Sequence, residues 1–144
     1  MKLRVLLVDD HTSIREALRL ILEMESDIEV IGEVNDSREV VEAVEQTRPD
    51  VVCMDVNMPY LNGIEATRAV LAVHPQIRVI GLSVHANIAI VGVIINAGAK
   101  GYIIKSDAGN ELPQAIRLVS QGQNYFSREL GLTSVADLGR YVEH

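Results

Sequence analysis

The sequence is poor in cysteine, in long apolar runs and in positive charge, and each shortage excludes a class of protein. Its one cysteine, Cys53, cannot form a disulfide within the chain and is compatible with a reducing compartment. No apolar stretch reaches the roughly 18 uninterrupted residues of a membrane span. The first apolar run is about four residues long, too short for the core of a secretory signal. We therefore expect a cytoplasmic protein without a membrane segment.

Lysine and arginine number 13 against 20 acidic residues, which gives a formal net charge of −7. Binding to nucleic-acid phosphates requires clustered Lys and Arg, so we expect no direct nucleic-acid binding by this chain. An excess of acid also serves ordinary solubility. The positions of the acidic residues must therefore decide whether they form a site.

Short β-type runs alternate with longer amphipathic stretches along most of the 144 residues, which is enough for one domain with its own core. The first run, 3–9, is almost continuously apolar, as in a strand covered on both faces. Helical spacing of apolar residues follows it, and Ser13 with Glu16 fits a capping box. Five such alternations predict an α/β fold, a doubly wound five-stranded parallel sheet with helices on both faces.

The alternation predicts the bounds of each element and of the domain. Strands are expected at 3–9, 28–34, 50–55, 77–84 and 101–105, and helices at 13–24, 37–47, 63–73, 87–98 and 110–122. Residues 1–126 then form the domain. Residues 127–144 fall outside the pattern and are expected to be a tail or linker, with one short helix starting at Ser134 as an option.

Polar side chains stand at the ends of the predicted strands, which share one edge of a doubly wound sheet. They are Asp9, Asp10, Asp55, Ser83 and Lys105. Carboxylates that share a pocket repel one another unless a cation is present, and all-oxygen ligands suit Mg²⁺. A hydroxyl and an ammonium suit the oxygens of a phosphoryl group. The sequence therefore predicts a Mg²⁺ site beside a phosphate site, with Asp55 as the phosphoryl acceptor.

Each of these residues also has an ordinary explanation when taken alone. Asp9 and Asp10 could precede a helix and interact favourably with its dipole, while Ser83 and Lys105 could be loop and surface residues. Their coincidence at four strand ends favours the site.

Several motifs occur in order along the chain: VDD (8–10), MDVNMPYLNG (54–63), LSVH (82–85), GYIIKS (101–106) and YFS (125–127). With them, residues 1–126 resemble the receiver domain of two-component response regulators, most closely those of LuxR or NarL-like transcription factors. The resemblance implies a flavodoxin-like strand order of 2-1-3-4-5. It also implies phosphorylation by a sensor histidine kinase or a small phosphodonor, without multi-turnover enzyme activity.

The resemblance assigns roles to the residues at the strand ends. Asp55 corresponds to the phosphorylated aspartate, Asp10 to a direct Mg²⁺ ligand, and Asp9 to a ligand that acts through water. Ser83 corresponds to the switch hydroxyl that bonds the phosphoryl group, and Lys105 to the lysine that pairs with it.

Further roles follow from the same resemblance. Asn57 would offer its backbone carbonyl to the metal, and Asn57 and His85 stand at positions that tune phosphoryl lifetime. Tyr102 corresponds to an aromatic residue that moves inward when the hydroxyl is drawn to phosphate. Pro59 and Gly63 would shape the loop after the acceptor.

One departure is Ser106, which follows Lys105 where the family usually has proline. A non-proline cis peptide costs about 2.5 to 4 kcal/mol, which favours a trans bond here; a cis bond imposed by the pocket is the alternative.

Helix four carries almost no charge on its outer face, which is unusual for a surface helix. With Val91 and Ile94 facing the sheet, Val93 points outward and is flanked by Ile90. An exposed apolar patch often marks an interface, although deeper burial of the helix is the alternative. The resemblance implies a homodimer through helix four, strand five and helix five, and the apolar outer face of helix four predicts Ile90 and Val93 in that interface.

The predicted function is a phosphorylation-controlled switch whose output is transcription through a helix-turn-helix domain. Fewer than about 25 residues follow helix five, too few for that domain, so we expect an excised or stand-alone receiver. One alternative is a pseudo-receiver that only binds partners. Another is a phosphatase of the haloacid-dehalogenase type, which Asn57 disfavours because that motif needs a second aspartate there.

Overall fold

The computed structural model describes residues 2–58 and 62–132, which form a fully parallel, six-stranded sheet with helices on both faces. The strand order is β2-β1-β3-β4-β5-β6. The strands are β1 Leu3–Val8, β2 Ile28–Val34, β3 Val51–Asp55, β4 Arg78–Ser83, β5 Gly101–Ile104 and β6 Tyr125–Phe126. The helices are α1 Thr12–Glu23, α2 Val40–Thr47, α3 Gly63–Val73, α4 Ile88–Asn96 and α5 Ala108–Ser120.

The alternation of side chains along each strand supplies two apolar layers, one on each face of the sheet. On β1, Val5 and Leu7 belong to the layer covered by α1 and α5, whereas Leu6 and Val8 belong to the layer covered by α2, α3 and α4. Burying each such side chain contributes about 1.5–3 kcal/mol relative to exposure. The layers hold the strands in register, so the carboxyl ends of β1, β3, β4 and β5 meet at one edge.

The prediction of five strands was wrong by one, while the order of the first five is as the resemblance implied. The sixth strand, β6, pairs parallel to β5, with Gly101 opposite Tyr125 and Tyr102 opposite Phe126. Two residues are too few to show a period-two pattern. This strand arises from backbone pairing with a distant segment, which no local pattern reveals.

The predicted capping box at the start of α1 was also wrong. The N-cap residue is His11, which makes no side-chain cap bond, and Ser13 lies inside the helix. The reason is that the Asp9 carboxylate accepts the His11 backbone N–H at 2.9 Å, which turns the chain into the helix earlier. The peptide bond between Lys105 and Ser106, which the sequence left open, is trans.

Two predictions concern residues that the structure does not describe. Pro59 and the short helix from Ser134 lie outside the described residues. Within residues 2–58 and 62–132, no helix is both long enough and apolar enough to cross a membrane.

The β6 segment, residues 125–132, fixes the end of β5. The completely buried Ser127 accepts the Ile104 backbone N–H on its Oγ at 2.8 Å and donates its own N–H to the Tyr102 carbonyl at 2.9 Å. Phe126 and Leu132 pack in the same apolar layer as α4. Because Lys105 follows Ile104 directly, this segment positions the backbone that carries the lysine.

We expect Ser127→Ala to lower the free energy of unfolding by about 1–3 kcal/mol, because it leaves the Ile104 N–H buried without an acceptor. Chemical denaturation followed by circular dichroism measures the change. Ser26→Ala, on the exposed turn before β2, is the matched control and should change stability by less than about 0.5 kcal/mol. Equal effects of the two variants would contradict the assigned role of Ser127.

Candidate functional site

Carboxylates from the ends of β1 and β3 form a pocket at the carboxyl edge of the sheet. β1 and β3 are neighbours, so Asp9 and Asp55 are brought together, and both are almost completely buried. Asp10 and His11 follow Asp9 at the entry to α1. One ligand atom from each of Asp9, Asp10, His11 and Asp55 can be chosen so that all lie within 4.8 Å of one another.

Lys105 reaches across β4 from the end of β5 and bridges two of the carboxylates. Its Nζ lies 2.7 Å from Asp9 Oδ2 and 3.3 Å from Asp55 Oδ1. Buried charges are tolerated when they are paired, and this ammonium is the cation that pairs them. The structure thus brings together the acids and the lysine that the sequence placed at separate strand ends.

The surroundings of the Asp55 carboxyl group disfavour its charged form. Burial, and next the negative charge of Asp9, raise its pKa to about 6, while Lys105 acts in the opposite direction. A cation placed beside this group would favour its charged form.

Two carboxylate oxygens in the pocket are left without donors. Asp10 Oδ1 and Asp55 Oδ2 are buried and have no hydrogen-bond partner among the described residues. Buried oxygens of this kind normally have a partner, and divalent cations such as Mg²⁺ take carboxylate oxygens as ligands. The residues therefore fit a divalent cation.

A second set of side chains lies beside Asp55 and connects β3 with β4 and β5. The Asn57 backbone N–H donates to Asp55 Oδ1 at 3.1 Å, and the Asn57 side-chain amide donates to Ser83 Oγ at 3.4 Å. Ser83 Oγ also accepts the His85 backbone N–H at 3.1 Å. The hydroxyl of Tyr102 donates to the His85 carbonyl at 2.6 Å. Ser83 is thus linked through residue 85 to Tyr102.

Tyr102 is completely buried and already lies inward. Burial raises the pKa of its hydroxyl, and the nearby Ser83 opposes this. By contrast, the side chains of Asn57 and His85 are exposed at the mouth of the site.

Gly63 allows α3 to begin directly against the backbone of the Asp55 loop. Its N–H donates to the Val56 carbonyl at 3.0 Å. A Cβ at this position would lie 2.2 Å from the Asp55 carbonyl oxygen and 2.7 Å from Val56 Cα. Asn62 caps the same helix by accepting the Glu65 N–H. Glycine is therefore required sterically at position 63.

Sequence reasoning missed His11. Its Nδ1 lies 3.0 Å from Asp9 Oδ1 and 3.1 Å from Asp10 Oδ1, which places the ring at the mouth of the carboxylate pocket. The only available signal was its position directly after the two aspartates. Ser127 was quoted only as part of a motif, although it fixes the end of β5.

The outer face of α4 was predicted to be apolar. Val91 and Ile94 are fully buried, as expected, whereas Val93 is 41% exposed. Ile90 is partly buried against the core layer.

Comparisons with known proteins agree with this geometry. The sequence profile of the family described as "Response regulator receiver domain" matches residues 5–117. The chain is 36% identical over 141 residues to the transcriptional regulatory protein DegU of Brevibacillus brevis, covering 98% of this chain and 60% of that protein. It is 38% identical over 128 residues to the response regulator GacA of Pseudomonas viridiflava, covering 89% and 60%.

A solved structure is also similar. The crystal structure of a two-component response regulator of the LuxR family from Aurantimonas sp. SI85-9A1 superposes with a TM-score of 0.88 at 33% identity, covering 95% of this chain and 97% of that one. The chain thus spans about 60% of the length of the two curated relatives.

We expect Gly63→Ala to lower the free energy of unfolding by about 1–3 kcal/mol or more, because the new Cβ overlaps backbone atoms that cannot swing away. Thermal or chemical denaturation measures this. Gly109→Ala is the matched control, since the nearest atom there, Ile21 Cδ1, is 4.0 Å away. That variant should gain up to about 1 kcal/mol from helix propensity. A tolerated Gly63→Ala would show that α3 can move away from the Asp55 loop.

Proposed function

The chain belongs to the response regulator receiver domain family, and we propose that it is a switch in which Asp55 accepts a phosphoryl group from a sensor histidine kinase or a small phosphodonor. The observation that carries this proposal is the buried Asp55 carboxylate, whose Oδ1 faces Lys105 and whose Oδ2 has no hydrogen-bond partner among the described residues. An oxygen without a donor is free to act as the nucleophile.

In the proposed reaction, an Asp55 oxygen attacks phosphorus, so a P–O bond forms while the bond from phosphorus to the donor breaks. Phosphoryl transfer depends mainly on positioning and on stabilising the charge of the transferred oxygens. Lys105, at 3.3 Å from Asp55, supplies positive charge. Ser83 Oγ and the Asn57 amide, which lie together, supply hydrogen bonds.

Mg²⁺, when bound, would neutralise charge on the phosphoryl oxygens. We propose that Asp9, Asp10, Asp55 and the Asn57 backbone carbonyl hold it, with Asp9 acting through water. The two buried oxygens without donors support this assignment, and their chemistry suits a hard cation.

The proposed switch is an exchange of the hydrogen bonds of Ser83. At present its Oγ accepts from His85 and Asn57, and Tyr102 holds the His85 carbonyl. When Ser83 turns to a phosphoryl oxygen, residues 83–85 shift, and the start of α4 shifts with them. The exposed side chains of Asn57 and His85 are placed to tune phosphoryl lifetime by controlling the approach of water.

The output of the switch is proposed from the relatives. Among them, DegU is named a transcriptional regulatory protein, and about 40% of its length lies beyond the matched region. We therefore propose a cytoplasmic role in transcription control through a helix-turn-helix domain of a longer protein. Pairing through α4, β5 and α5 would transmit the signal.

We expect Asp55 to gain one phosphoryl group from acetyl phosphate only when Mg²⁺ is present. Intact-mass spectrometry detects the adduct, and chelation of the metal should abolish it. Asp55→Asn should show no adduct, while Asp50→Asn, at the opposite edge of the sheet, should react like the unaltered chain. An adduct of unchanged yield in Asp55→Asn would refute the assignment, and no adduct in any variant would favour a pseudo-receiver.

We expect Val93→Glu to abolish phosphorylation-dependent self-association while leaving phosphoryl uptake intact, because it adds charge to the outer face of α4. Sedimentation velocity with and without acetyl phosphate and Mg²⁺ measures the association. Val73→Glu, which alters an exposed valine at the end of α3, is the matched control. Dimerisation that survives in Val93→Glu would exclude this face as the interface.

A further inference from the structure

We propose that His11 is an additional ligand of the divalent cation, so that the pocket favours imidazole-binding transition metals such as Ni²⁺ and Co²⁺ over Mg²⁺. The inference rests on the proposed metal-dependent function and deepens it. It concerns a residue outside the carboxylate set from which the site was predicted.

The first argument is the position of the ring. His11 Nδ1 lies 3.0 Å from Asp9 Oδ1 and 3.1 Å from Asp10 Oδ1. Neighbouring ligands of an octahedral ion with bonds of about 2.1 Å are separated by about 3.0 Å. The separation of His11 Nδ1 from Asp10 Oδ1 therefore matches that of adjacent ligands on one ion.

The second argument is the size of the whole donor set. The ligand atoms of Asp9, Asp10, His11 and Asp55 lie within 4.8 Å of one another. Opposite ligands of the same octahedron are about 4.2 Å apart. Small side-chain movements are therefore enough to bring Asp10, His11 and Asp55 onto one ion, with Asp9 linked to it through water.

The third argument is that oxygens of this set still lack partners. Asp55 Oδ2 is buried without a hydrogen bond among the described residues, and its side chain is only 2% exposed. Asp10 Oδ1 is also a buried atom without a hydrogen bond, although the Asp10 side chain is 27% exposed and His11 Nδ1 lies 3.1 Å away. These oxygens point to an ion as the missing partner.

A nitrogen donor changes which ions the pocket favours. Carboxylates alone suit Mg²⁺, which prefers oxygen and loses its waters reluctantly. Imidazole suits later first-row metals, whose affinity for nitrogen and oxygen sites rises towards Ni²⁺. The His11 side chain is 58% exposed, so it can turn without disturbing the core.

The alternative role for His11 is positioning. Nδ1 is within hydrogen-bond distance of Asp9 Oδ1, and this contact alone could orient the carboxylate. A positioning role would affect every cation alike, whereas a ligand role would affect Ni²⁺ and Co²⁺ much more than Mg²⁺.

The test is isothermal titration of the tag-free chain with Ni²⁺ alone and with Mg²⁺ alone. In His11→Ala and His11→Gln, Ni²⁺ affinity should fall about ten-fold or more, while Mg²⁺ affinity changes by less than about three-fold. Glutamine keeps a hydrogen-bonding group but lacks imidazole. His74→Ala, at the end of α3, is the matched control and should leave both affinities unchanged.

Unchanged Ni²⁺ affinity in His11→Ala, or equal losses for both ions, would overturn the proposal. So would full Ni²⁺ affinity in His11→Gln, because that result would make His11 a positioning residue only. The titration with Mg²⁺ alone tests the proposed function separately. Asp10→Asn should weaken Mg²⁺ binding, and failure of the unaltered chain to bind Mg²⁺ would count against the proposed function, whatever the Ni²⁺ result.

Discussion

Repulsion between two buried carboxylates, Asp9 and Asp55, is the constraint on which the rest of the site depends. Parallel pairing of β1 with β3 makes their proximity unavoidable. Lys105 follows β5, two strands from β3, and its positive charge offsets this repulsion. The lysine can reach both carboxylates only if the end of β5 is held in place. Ser127 and the β6 segment hold it. The sheet edge, the lysine and the last strand therefore form one electrostatic arrangement, in which removing the cation would typically cost about 3–5 kcal/mol.

Two carboxylate oxygens in this arrangement lack hydrogen-bond donors among the described residues, and this links the stability of the fold to ligand binding. Burial raises the pKa of Asp55, while Asp55 Oδ2 and Asp10 Oδ1 lack donors within the described residues. Buried oxygens without donors make a pocket less stable than a fully paired one would be. An ion that binds only the folded chain adds stability in proportion to its concentration and affinity.

The fold and most of the site follow from local patterns because the carboxyl ends of parallel strands must share an edge. The placement of Asp55 and Lys105 needed only the strand ends and this rule. The missing parts depend on geometry that local patterns do not encode. Strand β6 forms because Ser127 donates its N–H to the Tyr102 carbonyl and accepts the Ile104 N–H, both on the sequence-distant strand β5. His11 approaches the pocket because of its ring orientation. The capping box failed because the Asp9 carboxylate bonds the His11 N–H instead.

Strand β6 has a further consequence for the solubility of the domain. Without residues 125–127, the outer side of β5 would present the Ile104 N–H and the Tyr102 carbonyl without their present partners. An unprotected sheet edge is a template for strand addition by another molecule, and hence for aggregation. The short strand after α5 therefore covers the edge of β5 and prevents intermolecular β-pairing there. A fragment that ends immediately after α5 would lose this protection.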